Sequence, residues 1–385
     1  MANLFDYLDW RGDLPMTVDP FNEVDNLILT ELSYIEMAAA VPEDNASVPL
    51  HAASDRLFAE SADGKKLEMG VITGAKISEL LRKLAQTPRF RDLRLSCFER
   101  RLDVENAEQF AALTVELPDD TIYLAFRGTD DTLAGWKENI HLSCMAEVPA
   151  QRQAVRYTER VAALYPHRPL RIGGHSKGGN LAMWAGAFCS PDVQERIVNV
   201  WSNDGPGFNE ETMLRPELQR IRPRIISIVP KSSVVGMLLT HGEDYIVVDS
   251  SQVGILQHDG FSWNVLGPHF IHLDGISQQG RINDLTFRRW VQQVPWEQRE
   301  RFADGLFGIL SASGAVTFND FRTDKWKTAV AMTKAMKDMD KDTREALTAT
   351  LMALFRSNLE VRLEGLEDAA KLRAREKSHR LNSGE

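Results

Sequence analysis

Apolar residues recur along this chain with two different spacings. The first set has the spacing of one helical face and consists of Val24, Leu27, Ile28, Leu32 and Ile35. A second helical stripe covers 77–84, and the polar stretch 54–66 between them is expected to be irregular. Apolar runs at 93–98, 111–117 and 122–126, separated by acidic or proline-containing turns, predict three strands.

From about residue 150 the pattern alternates regularly. A helix is predicted over 150–165, followed by a strand at 169–172 and a helix just beyond it. Further strands are predicted at 197–201, 224–229 and 244–249. Strands that alternate with helices form right-handed crossovers and a mostly parallel sheet with both faces covered. The fold class is therefore α/β, with an antiparallel edge formed by the earlier strands.

Beyond about residue 319 the composition becomes charged and helix-rich. One helical face of this tail carries Leu347, Leu351, Leu354, Phe355, Leu359, Leu363 and Leu366. We therefore expect an α/β domain over 1–318 and a helical C-terminal extension over 319–385. The extension either docks on the main domain, the interpretation we favour, or serves self-association or another partner.

Composition excludes some classes of function. The chain has 385 residues, a formal net charge of −10 and a pI near 5.5, so it offers no broad basic surface for nucleic acid. Its three cysteines, Cys97, Cys144 and Cys189, lack the spacing of a metal site and suit a reducing compartment. No secretory signal is readable, and no apolar run approaches the roughly 18 residues of a spanning helix. We expect a cytoplasmic protein.

One motif carries candidate chemistry. It reads Gly174, His175, Ser176, Lys177, Gly178. An extended run at 169–172 precedes it, and a helix of small apolar residues at 181–186 follows, which gives the strand, tight turn and helix that present a nucleophilic serine. The spacing fits neither a phosphate-binding P-loop nor a dinucleotide-binding motif. Ser176 is thus the candidate nucleophile.

A serine hydroxyl needs a histidine to accept its proton, and that histidine needs an acid to fix its tautomer. His258 follows the predicted strand 244–249 and a glycine-bearing connection, so it is the preferred base. His241 precedes that strand and belongs at the wrong end of the sheet, whereas His269 and His272 lie further on. His175 is expected to point away from the site. The alternative is that His258 is a structural or surface histidine.

The sequence offers two candidates for the carboxylate that would orient this histidine. The usual place of this acid, after the strand 224–229, holds Ser232 and Ser233 and no carboxylate. Asp204, in a glycine-rich turn one strand earlier, is the preferred acid, and Asp249, which ends the next strand, is the second candidate. Asp204 is also well suited to capping a turn.

A tetrahedral intermediate needs hydrogen-bond donors at its oxyanion. The backbone N–H of Lys177, at the start of a helix, is one candidate, and Thr129, with its N–H and its hydroxyl, is the other. The alternative for the second segment is a structural ion pair between Arg127 and Asp130. We expect the side chain of Lys177 to be exposed; a role in binding an anionic substrate group is the alternative.

These two motifs together resemble those of the class 3 lipases. The matching positions are Phe126, Arg127, Gly128, Thr129, Trp136, Asn139 and Ser176. A closer likeness, over roughly residues 3–320, is to an uncharacterised bacterial family of the same clan. It rests on Asp6, Tyr7, Leu8, Asp19, Pro20, Phe21, Asn22 and Asp25, and on the segments 203–208 and 257–263.

The resemblance implies an α/β-hydrolase fold and a serine esterase or lipase that acts on a small acyl ester or lipid without a cofactor or metal. Acyl transfer to another acceptor, or thioester cleavage, would use the same triad. A catalytically silent binding protein is the alternative from a different class. If the site is lipolytic, residues 131–145 are a candidate lid.

Overall fold

A computed structural model describes most of the chain. The described residues are 1–61, 74–106, 108–130, 137–139, 141–142, 145, 147–239, 244–311, 334, 339–345, 348–350, 352–353 and 355–362.

A nine-stranded sheet forms the centre of the described region, in the order β1-β2-β3-β4-β5-β6-β7-β8-β11. Strands β4 to β8 run parallel, whereas β1 to β4 and the pair β8 and β11 are antiparallel. A separate hairpin joins β9 and β10. The strands are β1 Val48–Pro49, β2 Arg94–Asp103, β3 Glu108–Glu116, β4 Ile122–Phe126, β5 Leu170–His175, β6 Ile197–Asn203, β7 Ile225–Pro230, β8 Tyr245–Val248, β9 Val265–Leu266, β10 His269–Phe270 and β11 His272–Leu273.

Helices cover both faces of this sheet. The α-helices are α1 Leu4–Arg11, α2 Glu23–Leu32, α3 Leu50–Ser61, α4 Gly74–Leu84, α5 Pro149–Leu164, α6 Lys177–Phe188, α7 Pro191–Glu195, α8 Glu210–Met213, α9 Pro216–Ile221, α10 Gln278–Gln293 and α11 Trp296–Ser311. Helices α1 to α4 supply the core on one face, and α5, α6, α7 and α9 supply the core on the other. The arrangement is an α/β-hydrolase fold, as the sequence predicts.

The amino-terminal helices begin where their sequences provide caps. Asn3 accepts hydrogen bonds from the first turn of α1 while Asp6 accepts one from the Asn3 backbone. Asn22 and Asp25 repeat the same reciprocal arrangement at the start of α2. Each capping box satisfies backbone N–H groups that have no partner within the helix. Helix α2 is buried along its whole length, so its start is fixed inside the domain.

The predicted elements agree well with the structure, with one correction. The strands expected at 93–98, 111–117 and 122–126 correspond to β2, β3 and β4, and the antiparallel edge is present. The stretch 54–66 is not irregular over its first part, because α3 extends to Ser61. Leu50, Ala53 and Leu57 are buried at helical spacing; residues 62–66 lie outside the described residues.

The carboxy-terminal part contacts the main domain. The expected boundary at 318/319 lies outside the described residues and stays a prediction. The described residues between 341 and 362 are helical and pack on α10, where Ser357 donates to Gln293 at 3.1 Å and Asn358 to Thr286 at 3.3 Å. The two members of the predicted apolar stripe that the structure describes, Phe355 and Leu359, are exposed, whereas Ser357 and Val361 are buried.

Three other predictions concern residues that the structure describes only in part. Cys97 and Cys189 are buried free thiols, and Cys144 lies outside the described residues, as do Leu347, Leu351, Leu354, Leu363 and Leu366. In the part of the chain that the structure describes, no helix has the length and apolar character of a membrane span.

Candidate active site

The candidate nucleophile lies on a sharp turn between a strand and a helix. Strand β5 ends at His175 and α6 begins at Lys177, so Ser176 is the only residue between them. Its backbone has φ 59° and ψ −131°, a conformation that is costly for a residue with a side chain. The surroundings impose this geometry, which lifts the serine side chain out of the sheet.

Two glycines make the turn sterically feasible. A Cβ atom on Gly174 would lie 2.1 Å from the backbone of Gly178, and one on Gly178 would lie 2.2 Å from the carbonyl oxygen of Phe126. Neither distance is tolerable for a carbon, so strand, turn and helix can pack this closely only with glycine at both positions.

Hydrogen bonds from strand β6 and helix α2 fix the position of the turn. The Ser176 N–H donates to the carbonyl of Asn203 at 2.9 Å, and the Asn203 side chain donates to the carbonyl of Gly174 at 3.1 Å. Asn26 of α2 donates to the Asn203 side chain at 2.9 Å. Because all of these groups are buried, their hydrogen bonds are strong constraints on the position of Ser176.

The structure brings His258 and Asp204 together. His258 ends a 3-10 helix, Gly254–His258, beyond β8, and Asp204 follows β6 in a turn with φ 50°. The Nδ1 atom of His258 lies 2.6 Å from Oδ2 of the fully buried Asp204. A carboxylate at Nδ1 fixes the proton there and leaves Nε2 free to accept one.

Asp204 also has partners on its other oxygen. Ser233 donates to Oδ1 at 2.5 Å and the Gly236 N–H at 3.1 Å. Ser233 stands directly after β7, the place where the class 3 lipases carry their acid. In this chain the carboxylate therefore comes from the end of β6, and a hydroxyl from the end of β7 supports it.

Asp249 is placed differently. Its carboxylate accepts from Lys231 at 2.6 Å and from Asn264 at 2.6 Å, and these partners hold the pKa of Asp249 below its ordinary value despite partial burial. Of these two candidates, Asp204 is the one that contacts His258.

Contrary to expectation, His175 does not point away from the site but packs on His258. The rings of His175 and His258 stack with centroids 4.6 Å apart and planes at 29°, and Nε2 of His175 lies 2.8 Å from the His258 carbonyl oxygen. Burial, followed by the nearby His258, lowers the pKa of His175 to about 3. His175 is thus neutral, donates from Nε2 and keeps Nδ1 unprotonated. It supports the backbone and ring of His258.

Tyr34 links this histidine to the loop that follows β4. Its hydroxyl lies 3.3 Å from Nδ1 of His175, and burial raises its pKa well above the ordinary value, so the phenol keeps its proton and donates. A Cβ atom on Gly128 would lie 2.2 Å from the same hydroxyl and 3.1 Å from Cβ of Ser176. The loop after β4 consequently packs against both Tyr34 and the serine.

Thr129 lies next in that loop. Its hydroxyl donates to Oδ1 of Asn139 at 2.9 Å, so in this arrangement its single hydrogen is already used and the N–H is the Thr129 donor left for an oxyanion. Arg127 and Asp130 are both fully buried and 3.4 Å apart, so the structural ion pair considered for this segment is also present.

The side chain of Lys177 is not exposed, contrary to expectation. It is fully buried, and Nζ lies 2.6 Å from Oε2 of Glu138. Its backbone N–H remains at the first position of α6, where helix N–H groups have no acceptor within the helix. A role in binding substrate anions through the ammonium group is incompatible with this burial.

The Ser176 hydroxyl forms no hydrogen bond to His258 or to any other described residue. Ser176 and His258 are both largely buried, each with 8% of its surface exposed. In enzymes without substrate the bond between nucleophile and base is often long and tightens when substrate binds.

The candidate bases His269 and His272 contact Glu23 rather than Asp204. Nε2 of His272 is 2.8 Å from Oε1 of Glu23 and Nδ1 of His269 is 3.9 Å from it, whereas His241 and His379 are outside the described residues, as are Trp136 and most of the candidate lid 131–145. Among the described residues no cluster of three or more potential ligands suits a metal ion.

Several residues of the site were not identified from the sequence. Glu138 and Gln109 surround the Lys177 ammonium, and Tyr34 and Glu31 lie beside His175. No local motif marks them, because each comes from a different element and is brought in only by the packing of that element. For Glu138, its position next to the lipase-like Asn139 is the one available signal.

A serine elbow in a mostly parallel sheet, beside a paired aspartate and histidine, defines a lipase-like α/β-hydrolase. The chain belongs to the Mbeg1-like family, which it matches over residues 84–308. The predicted relationship to a lipase-like family is thereby confirmed. No curated protein matches the chain.

Solved lipase structures are similar over part of the chain. A mutant form of MDLA from Penicillium cyclopium is 13% identical, with coverage of 67% of this chain and 88% of that chain and a TM-score of 0.37. Lip2 lipase from Yarrowia lipolytica is 13% identical, with coverage of 61% and 82% and a TM-score of 0.34. The Rhizomucor miehei lipase propeptide complex is 14% identical, with coverage of 41% and 57% and a TM-score of 0.32. This chain thus spans little more than half of the Rhizomucor miehei chain.

Proposed function

We propose that this protein is a serine hydrolase that cleaves carboxylic esters through an acyl-serine intermediate. The observation that carries the proposal is the 2.6 Å contact between His258 and the buried Asp204, beside the turn that bears Ser176. Asp204 holds the imidazole in the tautomer whose Nε2 accepts a proton, the state in which a histidine can activate a serine.

In the proposed reaction, Nε2 of His258 takes the proton from Oγ of Ser176 as Oγ attacks the ester carbonyl. The N–H groups of Thr129 and Lys177 stabilise the oxyanion of the tetrahedral intermediate. Collapse breaks the bond to the alcohol, which leaves with the proton from His258. Water then repeats the sequence and releases the acid. Each step uses side chains, backbone and water, so the chemistry requires no cofactor.

Labelling with a fluorescent fluorophosphonate tests this proposal. We expect wild type to be labelled and Ser176→Ala not to be. His258→Ala and Asp204→Asn should lower turnover of short p-nitrophenyl esters by about 10⁴-fold or more, since triad members act as a unit. Asp249→Asn is the matched control, because it changes an aspartate at the same edge of the sheet that pairs with Lys231.

Two results would overturn the proposal. One is a folded wild-type protein that neither reacts nor turns over any ester, which would favour a binding role for the fold. The other is equal turnover by Asp204→Asn and wild type. A series of esters of increasing acyl length then separates an esterase from a lipase, because a lipase retains turnover on long chains.

We also propose that the protein acts in the cytoplasm and that the carboxy-terminal helices support self-association. The free, buried thiols of Cys97 and Cys189 suit a reducing compartment, and Phe355 and Leu359 expose apolar surface. Light scattering of wild type and of Phe355→Asp tests the second proposal; a monomer at all concentrations would contradict it.

A further inference from the structure

The ammonium group of Lys177 is fully buried immediately after the nucleophile. Its three hydrogens have three acceptors: the Gln109 carbonyl at 2.6 Å, Oε1 of Gln109 at 2.8 Å and Oε2 of Glu138 at 2.6 Å. A buried ammonium is tolerated only when it is paired and fully hydrogen bonded. The start of α6 is therefore tied to β3 and to Glu138.

Glu138 is equally well satisfied. Besides Lys177, its Oε2 accepts from the Gln109 N–H at 3.3 Å, and its Oε1 accepts from the Ala150 N–H at 2.9 Å. These partners come from β3, from the first turn of α5 and from the first residue of α6. One carboxylate thus fixes three elements relative to the short segment 137–139.

The next residue in that segment is Asn139, which accepts the hydrogen bond from Thr129. Lys177 and Thr129 are the two proposed oxyanion donors, and the path Lys177, Glu138, Asn139, Thr129 joins them through two side-chain contacts and one peptide bond. We propose that the buried Lys177–Glu138 ion pair is a positioning element that sets the spacing of the two donors. This inference rests on the proposed function.

The location of the pair supports this role. Replacing a buried ion pair by apolar side chains of similar volume is often neutral or stabilising, so stability alone does not account for charges here. Donor position, by contrast, matters strongly: a misplacement of about 1 Å can cost roughly 100-fold in rate, and loss of one donor costs about 100- to 1000-fold.

A double-mutant cycle tests the proposal. Lys177→Met, Glu138→Gln and the double variant are compared with wild type for the rate of fluorophosphonate labelling and for kcat and KM on p-nitrophenyl acetate. All rates are measured where circular dichroism shows folded protein. Arg89→Met is the matched control, because Arg89 and Asp25 form another fully buried ion pair, one that does not touch either proposed donor.

We expect each single variant to lower kcat on the order of 10- to 100-fold with little change in KM. The double variant should lose no more than the worse single variant, since both changes cut the same connection. Arg89→Met should lose stability but keep kcat. Single variants within about twofold of wild-type kcat, or losses that multiply in the double variant, would overturn the positioning role while leaving the hydrolase proposal intact. A wild type that is never labelled would overturn both.

Discussion

Two buried polar clusters are built on the residues before and after Ser176, and their buried titratable groups differ in how they are stabilised. The Lys177 cluster keeps an ammonium and the Glu138 carboxylate, and every hydrogen of the ammonium has an acceptor. The His175 cluster contains Glu31, whose carboxyl oxygens have no hydrogen-bond partner among the described residues. Oε1 of Glu31 lies 3.6 Å from Nδ1 of His175.

In the second cluster, burial shifts the pKa values of Glu31 and His175 toward their neutral forms. Burial, followed by the nearby Asp259, raises the pKa of Glu31 well above its ordinary value, although Lys76 lowers it in part. Burial also lowers the pKa of His175 to about 3. The comparison shows that a buried titratable group next to this nucleophile is either paired as an ion or discharged. The first solution gives a rigid anchor, and the second makes stability depend on pH.

The largest effect should come from breaking the paired cluster. Lys177→Met leaves Glu138 as a buried, unpaired carboxylate, which typically costs about 3–5 kcal/mol. Chemical denaturation measures the free energy of unfolding. Lys76→Met is the matched control, since Lys76 is half-exposed in its pair with Asp259 and such pairs contribute about 0–1 kcal/mol. Equal losses in the two variants would contradict the distinction between the clusters.

An intermediate effect should come from His175 in acid. Its folded pKa lies below the unfolded value of about 6.5, so its contribution to stability is present above pH 6.5 and is lost as the pH falls toward about 3. The slope approaches about 1.4 kcal/mol per pH unit. His175→Gln keeps a side-chain N–H donor but cannot titrate there. The difference in the free energy of unfolding between wild type and this variant should become smaller as the pH falls. A difference that does not change with pH would show that His175 is not held neutral.

An effect of the opposite sign should come from Glu31, whose replacement is expected to stabilise the protein. Its raised folded pKa means that its contribution is complete below the ordinary carboxyl pKa and is lost as the pH rises through the raised value. Glu31→Gln replaces the neutral acid by an amide of the same shape. Thermal melts should show similar stability near pH 4 and a growing advantage for Glu31→Gln toward alkaline pH. An advantage that is largest in acid would mean that Glu31 is ionised and paired.

The sequence predicts those parts of the fold whose cause is local. The glycines around Ser176 predict the turn, because a Cβ atom at their positions would clash. The spacing of apolar residues predicts strands β2 to β8. Asp204 and His258 could be proposed as well, since residues that follow the carboxyl ends of the strands in a parallel sheet lie along the same edge.

The buried clusters could not be predicted because their causes are tertiary. Lys177 follows a serine at a helix start and has the sequence signature of a solvated lysine, yet packing of the segment 137–139 encloses it. Glu31 lies on the apolar helix α2, and a charged residue at that position would be expected to face solvent. Glu31 is buried because other elements pack on all sides of α2. The hydrophobic periodicity of the sequence does not indicate this packing.

Trapping of the acyl-enzyme is the most direct test of the central claim. Wild type would be mixed with p-nitrophenyl acetate, quenched in acid within the first turnover and digested for mass spectrometry. We predict one acetyl group per molecule, on Ser176, together with a burst of p-nitrophenol of matching size. Turnover without an acetyl group on Ser176, or acetylation at another residue that survives in Ser176→Ala, would contradict the account.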